Sequence, residues 1–172
     1  SKHPNGFNNV SITDLITELL YPYTAPVLGS LSVSPSAGAK EMNVDLTVNS
    51  ASIAVTKKSK PIKSVALYKG TTLVESKTEG VANGGSFTFT INETLDGSTD
   101  TSYEVKVTDQ DDTVVSSNKQ TYDFVYPYFY GVVAVGTTID SSAVLGMTRG
   151  IRTKGNHSYT YTTNNQCPVI AY

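Results

Sequence analysis

Ser86-Phe87-Thr88-Phe89-Thr90-Ile91 alternates polar and apolar residues without a fault, and this two-residue rhythm recurs in at least five runs along the chain. Successive side chains of a strand point to opposite faces, so such runs specify strands with one face buried and the other in water. Leu31 and Val33 alternate with serines, and Pro35-Ser36-Ala37-Gly38 reads as a turn. Met42, Val44, Leu46 and Val48 fall on even positions, whereas Ile53 and Val55 fall on odd ones. A β-bulge or break near 49–52 is therefore expected, to return all of them to one face. A Lys-rich loop and Pro61 precede Ile62 to Tyr68, and Lys69-Gly70 turns that strand into Thr71 to Val74. Asn83-Gly84-Gly85 opens the Ser86 run, and Asp96-Gly97 leads to Tyr103, Val105 and Val107. After the turn at Asp109 to Asp112 come Val114-Val115, then a last strand with Tyr122, Phe124 and Tyr126. Roughly seven short strands, with turn signals about every 8 to 15 residues, is the pattern of an immunoglobulin-like or fibronectin-type antiparallel sandwich. The expected fold class is all-β: this sandwich, a short N-terminal helix, and a C-terminal β-rich partial domain.

One segment breaks the rhythm. Ile12, Leu15, Ile16, Leu19 and Leu20 have the spacing of a single helix face. Ser11 can cap that helix, with Asp14 three positions on, and Pro22 stops it by disfavouring the α conformation at Tyr21. About ten residues of helix are marginal alone in water. The stripe is therefore expected to be buried, against either the sandwich or a neighbouring subunit. The expected organisation is an N-terminal arm over 1–26, the sandwich over 27–126, and over 127–172 the start of a second β-rich module, incomplete here.

Tyr21-Pro22-Tyr23 recurs as Tyr126-Pro127-Tyr128-Phe129-Tyr130, at the two edges of the sandwich. Proline stiffens the backbone there, while each tyrosine buries its ring and keeps a wet hydroxyl. In the second segment Val132 to Val135 reads as a strand, Asp140 to Met147 as a short helix or extended turn, and Ser158 to Thr163, with Tyr159 and Tyr161, as another strand. Tyr21, Tyr23, Tyr126, Tyr128, Tyr130, Tyr159 and Tyr161 are the candidate ligand-binding or interface aromatics. The chain opens at Ser1 and stops within the strand-like Ile170-Ala171-Tyr172, so a piece of a longer polypeptide is expected.

The residues offer little for catalysis. The chain of 172 residues holds two histidines and one cysteine, so no intrachain disulfide and no thiolate zinc cluster can form. His3 and His157 have no sequence-near acid or nucleophile in a catalytic pattern, and Cys167 beside Pro168 and Val169 reads as a small buried apolar residue. Asp109, Asp111 and Asp112 have the alternation of calcium-binding loops but lack the glycine and the distal glutamate, so a solvated turn is the simpler reading. A net charge of −2 gives no footprint for nucleic acid or anionic membrane, and Lys57-Lys58-Ser59-Lys60 reads as a solvated loop. No apolar run approaches the ~20 residues of a membrane-spanning helix. No enzyme activity, cofactor or metal is expected.

Three stretches together resemble a known group. The capped helix with Leu19-Leu20-Tyr21-Pro22-Tyr23-Thr24-Ala25-Pro26, the sandwich with Lys58-Ser59 before Ile62, and Tyr126-Pro127-Tyr128-Phe129-Tyr130-Gly131 resemble Ig-like-module structural proteins of gut bacteriophages, from tails, baseplates or fibres. That resemblance implies a virion component with partners among other virion proteins or copies of itself, and adhesion to a host surface glycan as a further role. It carries over no binding residues. The alternative reading is a glycan-binding sandwich module of a bacterial surface or secreted protein. A third is an accessory β-domain of a larger enzyme such as a glycan hydrolase.

Overall fold

The computed structural model describes residues 11–151 and 166–171. Helix α1 spans Ile12–Leu20. It is followed by β1 (Val27–Leu28), β2 (Ser32–Ser34), β3 (Gly38–Glu41), β4 (Leu46–Thr56), β5 (Ile62–Lys69), β6 (Thr72–Lys77) and β7 (Gly84–Leu95). Then come β8 (Thr101–Asp109), β9 (Val114–Ser116), β10 (Gln120–Val125), β11 (Pro127–Ala134), helix α2 (Ser141–Leu145), β12 (Thr148–Ile151) and β13 (Gln166–Ala171).

Strands β1 to β10 build two facing sheets. In the first, β1 and β2 pair one after the other along one edge of β4, and β7 lines its other edge. The second runs β3-β10-β8-β5-β6, with β9 also on β8. Every pairing is antiparallel except β3 with β10. The chain crosses repeatedly between sheets, and this strand order is that of an immunoglobulin-like sandwich of the fibronectin type, without disulfide or tryptophan.

The alternation predicts which residues meet inside. Val48, Ala51, Ile53, Val55, Phe89 and Leu95 face Ile62, Val65, Leu67, Val105, Val107 and Phe124 across the core. Their change of phase occurs where expected, as a register shift between Val48 and Ser50. Between the inward pairs Val48–Glu93 and Ala51–Phe89, Asn49 and Ser50 oppose Thr90, Ile91 and Asn92. Asn92 takes a φ of 48°, which asparagine tolerates better than most residues. Gly84 opens β7 at φ 72°, and a Cβ there would lie 2.4 Å from the Val55 carbonyl oxygen, so only glycine fits against β4.

Without tryptophan, the largest core side chains are Tyr103 and Tyr122, both fully buried. Their rings meet edge to face at 6.3 Å. Tyr103 donates to Glu93 Oε2 at 3.2 Å and Tyr122 to the Pro35 carbonyl at 2.6 Å, so neither hydroxyl is buried without a partner. Burial raises both phenol pKa values, Tyr122 to about 12, and the nearby Glu93 carboxylate adds to the rise at Tyr103. Raised values favour the neutral phenols in the fold, so this stability is complete below pH 10 and is lost as pH climbs from 10 towards 12. Urea unfolding at pH 8, 10 and 11.5 is expected to show a declining ΔG, with a shallower decline in Tyr122→Phe; equal slopes would refute the assignment.

Several expectations are corrected. Met42 and Val44 do not join the strand that holds Leu46; Asn43 has φ 60° and turns the chain, leaving Val44 exposed. Gly38 to Glu41, the first of them read as the end of a turn, form β3. The last sandwich strand ends at Val125, so Tyr126 is a one-residue junction to β11 and is 64% exposed. The helix stripe does not pack on the sandwich: α1 has no buried residue, and Leu19 is 80% exposed.

Beyond Tyr126 a third sheet runs β12-β11-β13, all antiparallel. Asp140 caps α2, its carboxylate accepting from the Ala143 N–H at 2.8 Å. The Arg149–Glu41 ion pair links β12 to β3.

Candidate functional site

The candidate aromatics fall into two groups, one at each edge of the sandwich. At the first, Ser11 caps α1 as expected: its Oγ accepts from the Asp14 N–H at 3.0 Å and donates to Asp14 Oδ2 at 2.7 Å. The carboxylate thus engages the cap hydroxyl. At the other end the Tyr21 N–H closes the helix on the Thr17 carbonyl at 2.8 Å. Tyr21 itself is 76% exposed.

Tyr23 points the other way. Its hydroxyl donates to Oδ2 of Asp109, a fully buried carboxylate at the end of β8. Asp109 Oδ1 accepts from the N–H groups of Asp111 at 2.9 Å and Thr113 at 3.0 Å. One carboxylate therefore shapes the β8–β9 turn and holds the N-terminal connector. Burial first, and the bond to Asp109 second, raise the Tyr23 pKa. One residue on, the Thr24 N–H donates to Ser59 Oγ at 2.8 Å, and the Ser59 N–H to the Thr24 carbonyl at 3.2 Å. The connector is pinned at two adjacent residues, and Thr17, Glu18 and Leu20 of α1 border a cleft with Ser59 and Lys60 beside that anchor.

The same geometry bears on the acidic turn. Asp109 turns inward to serve the fold, Asp111 meets Lys60 at 3.3 Å and Asp112 meets Lys63 at 2.5 Å. Part of the Lys-rich loop therefore serves as the counter-charge for this turn. Among the described residues no group of three or more His, Cys, Asp or Glu side chains is placed to hold a metal ion.

At the second edge, Tyr128 and Tyr130 sit on one face of β11, two residues apart. Their rings stack with centroids 6.0 Å apart and planes 29° from parallel. Tyr128 lies directly over Gly150 of β12, where a Cβ would come within 2.5 Å of the phenol ring. Tyr159 and Tyr161, like His3 and His157, lie outside the described residues. Cys167, expected to be buried, is exposed on β13, where it pairs with Val133 of β11. No helix among the described residues is long and apolar enough to cross a membrane.

Sequence reasoning missed the role of Asp109. Its signal was present: an aspartate ending a strand, followed two and four residues later by donors it can reach, is a side-chain-capped turn.

No family model matches this chain, and no curated protein matches it. Among solved structures it is similar to the fibronectin(III)-like modules of Clostridium thermocellum CbhA, with 20% identity over 55% of this chain and 93% of that one, at a TM-score of 0.32. The fold assignment rests on strand order and pairing, and the chain contains a fibronectin-type β-sandwich module.

Proposed function

We propose that this chain is a non-catalytic structural module of a bacteriophage virion, a tail, baseplate or fibre component acting through contacts with other virion proteins or copies of itself. One observation carries the reading: a capped amphipathic helix leaves its apolar face unburied beside a sandwich whose core is already closed. Exposed contiguous apolar surface of this kind marks an interaction site. Titratable groups at the sandwich edge are committed to shaping a turn and anchoring a connector, a use that belongs to folding. The proposed organisation is an arm over 1–26, a sandwich over 27–126 and the beginning of a further β-rich module over 127–172. The sequence resemblance supplies the virion as the setting.

A second reading is a glycan-binding module of a bacterial surface or secreted protein, favoured by the stacked Tyr128–Tyr130 pair on a sheet face. Mass spectrometry of purified particles separates the two. Peptides of the parent polypeptide in virions are expected. Their absence, together with saturable binding of the purified chain to a soluble glycan, would overturn the virion reading in favour of the second.

A further inference from the structure

The apolar stripe of α1 is left exposed beside a sandwich whose own core is closed. Ile12, Leu15, Ile16, Leu19 and Leu20 are 77%, 38%, 50%, 80% and 64% exposed, and Tyr21 continues them at 76%. At 100° per residue the five aliphatic positions span a sector of about 140°, with Asp14 and Glu18 on the opposite side. The sector is uncharged, so two copies can bring their stripes together without opposing like charges. Its exposed area is roughly 600–700 Å² with Tyr21 included, close to the ~800 Å² that each partner contributes to a standard specific interface. Tyr23 is bound to Asp109 and Thr24 to Ser59, so the connector holds the C-terminal end of α1 beside the Ser59–Lys60 loop while the stripe stays exposed.

We infer that α1 is a self-association element, whose stripe pairs with the same stripe on another copy of this chain. This rests on the structural-module reading above and names its partner. Pairing removes the weakness of an isolated nine-residue helix, because helix formation and association become one event. Closed symmetric contacts also bury identical patches, which a single self-complementary stripe supplies.

Sedimentation velocity of the full chain from 5 to 500 µM tests this. Concentration-dependent association is expected in the wild type, with at least a tenfold weaker constant in Ile12→Asp/Leu19→Asp and an unchanged urea midpoint for the sandwich. A second measurement locates the contact: Leu19→Cys in a Cys167→Ser background is expected to form an interchain disulfide on mild oxidation. A wild type that stays monomeric at 500 µM would overturn the inference. So would association that survives the double substitution, which would place the contact elsewhere, such as on the third sheet. Either result leaves the virion reading to the particle experiment, so the two fail separately.

Discussion

Asp109→Ala is expected to destabilise the sandwich by about 2–4 kcal/mol, because one truncation strands three donors. The Asp111 and Thr113 N–H groups lose Oδ1, and the Tyr23 hydroxyl loses Oδ2. Removing a buried charge recovers some desolvation energy, which limits the loss. The carboxylate nevertheless accepts all three bonds where water cannot substitute freely, since Asp109 is fully buried. Asp109→Asn separates hydrogen bonding from charge. Its amide oxygen can keep both turn bonds, and its NH₂ can donate to the phenol oxygen of Tyr23, so a cost below about 1.5 kcal/mol is expected. Urea denaturation with an unchanged m-value measures both. An alanine variant within 0.5 kcal/mol of wild type would show that the turn holds itself.

Phe89→Ala is expected to cost about 3–5 kcal/mol, the range for emptying an aromatic site in a packed core. Phe89 is fully buried in the middle of β7, opposite Ala51, a small residue with no side chain able to fill the space. Lys77 Nζ lies 5.2 Å from the ring centroid, so a weak cation–π contact is lost as well. Phe87 provides the comparison, since it faces the same way two residues earlier but is only partly buried. Phe87→Ala is expected to cost less than half as much. Equal losses at the two positions would contradict the burial gradient along β7.

The sequence makes the sandwich legible because each strand with a buried face carries its period on the page. The even-to-odd change between Val48 and Ala51 was readable, because a phase slip must be absorbed by backbone. Strand β3 was not: Gly38-Ala39-Lys40-Glu41 lies at a sheet edge, half-buried throughout, so it has no alternation to read. The reverse error arose at Met42 and Val44, whose apolar alternation is accidental because Asn43 turns between them. Cys167 was misplaced because an apolar neighbourhood in sequence, Pro168-Val169-Ile170, stands on an edge strand of a small sheet with little interior to offer.

The candidate site was legible in part. The helix, its cap and its stripe follow from spacing alone, and spacing gave two possible covers without choosing between them. The tyrosine pairs looked alike in sequence yet behave differently. Tyr23 is drawn in by a buried carboxylate 86 residues away, Tyr21 stays in solvent, and Tyr128 and Tyr130 stack on one strand face. Pairings over such separations are set by strand order, which no local pattern encodes.

Among the described residues one pairing is parallel, β3 with β10, and it has a mechanical meaning. Tyr122, Asp123, Phe124 and Val125 lie beside Gly38, Ala39, Lys40 and Glu41, and these are strands close to the entry and exit of the sandwich. Once a pull from the N-terminal side has passed β1 and β2, which are held on β4, it draws β3 backwards along its axis, and a pull beyond Tyr126 draws β10 forwards. Because the strands run the same way, those forces oppose each other along the ladder and load its hydrogen bonds together in shear. An antiparallel pair held from the same two directions would open from one end, bond by bond. The β3–β10 ladder is thus oriented so that its hydrogen bonds share such a load.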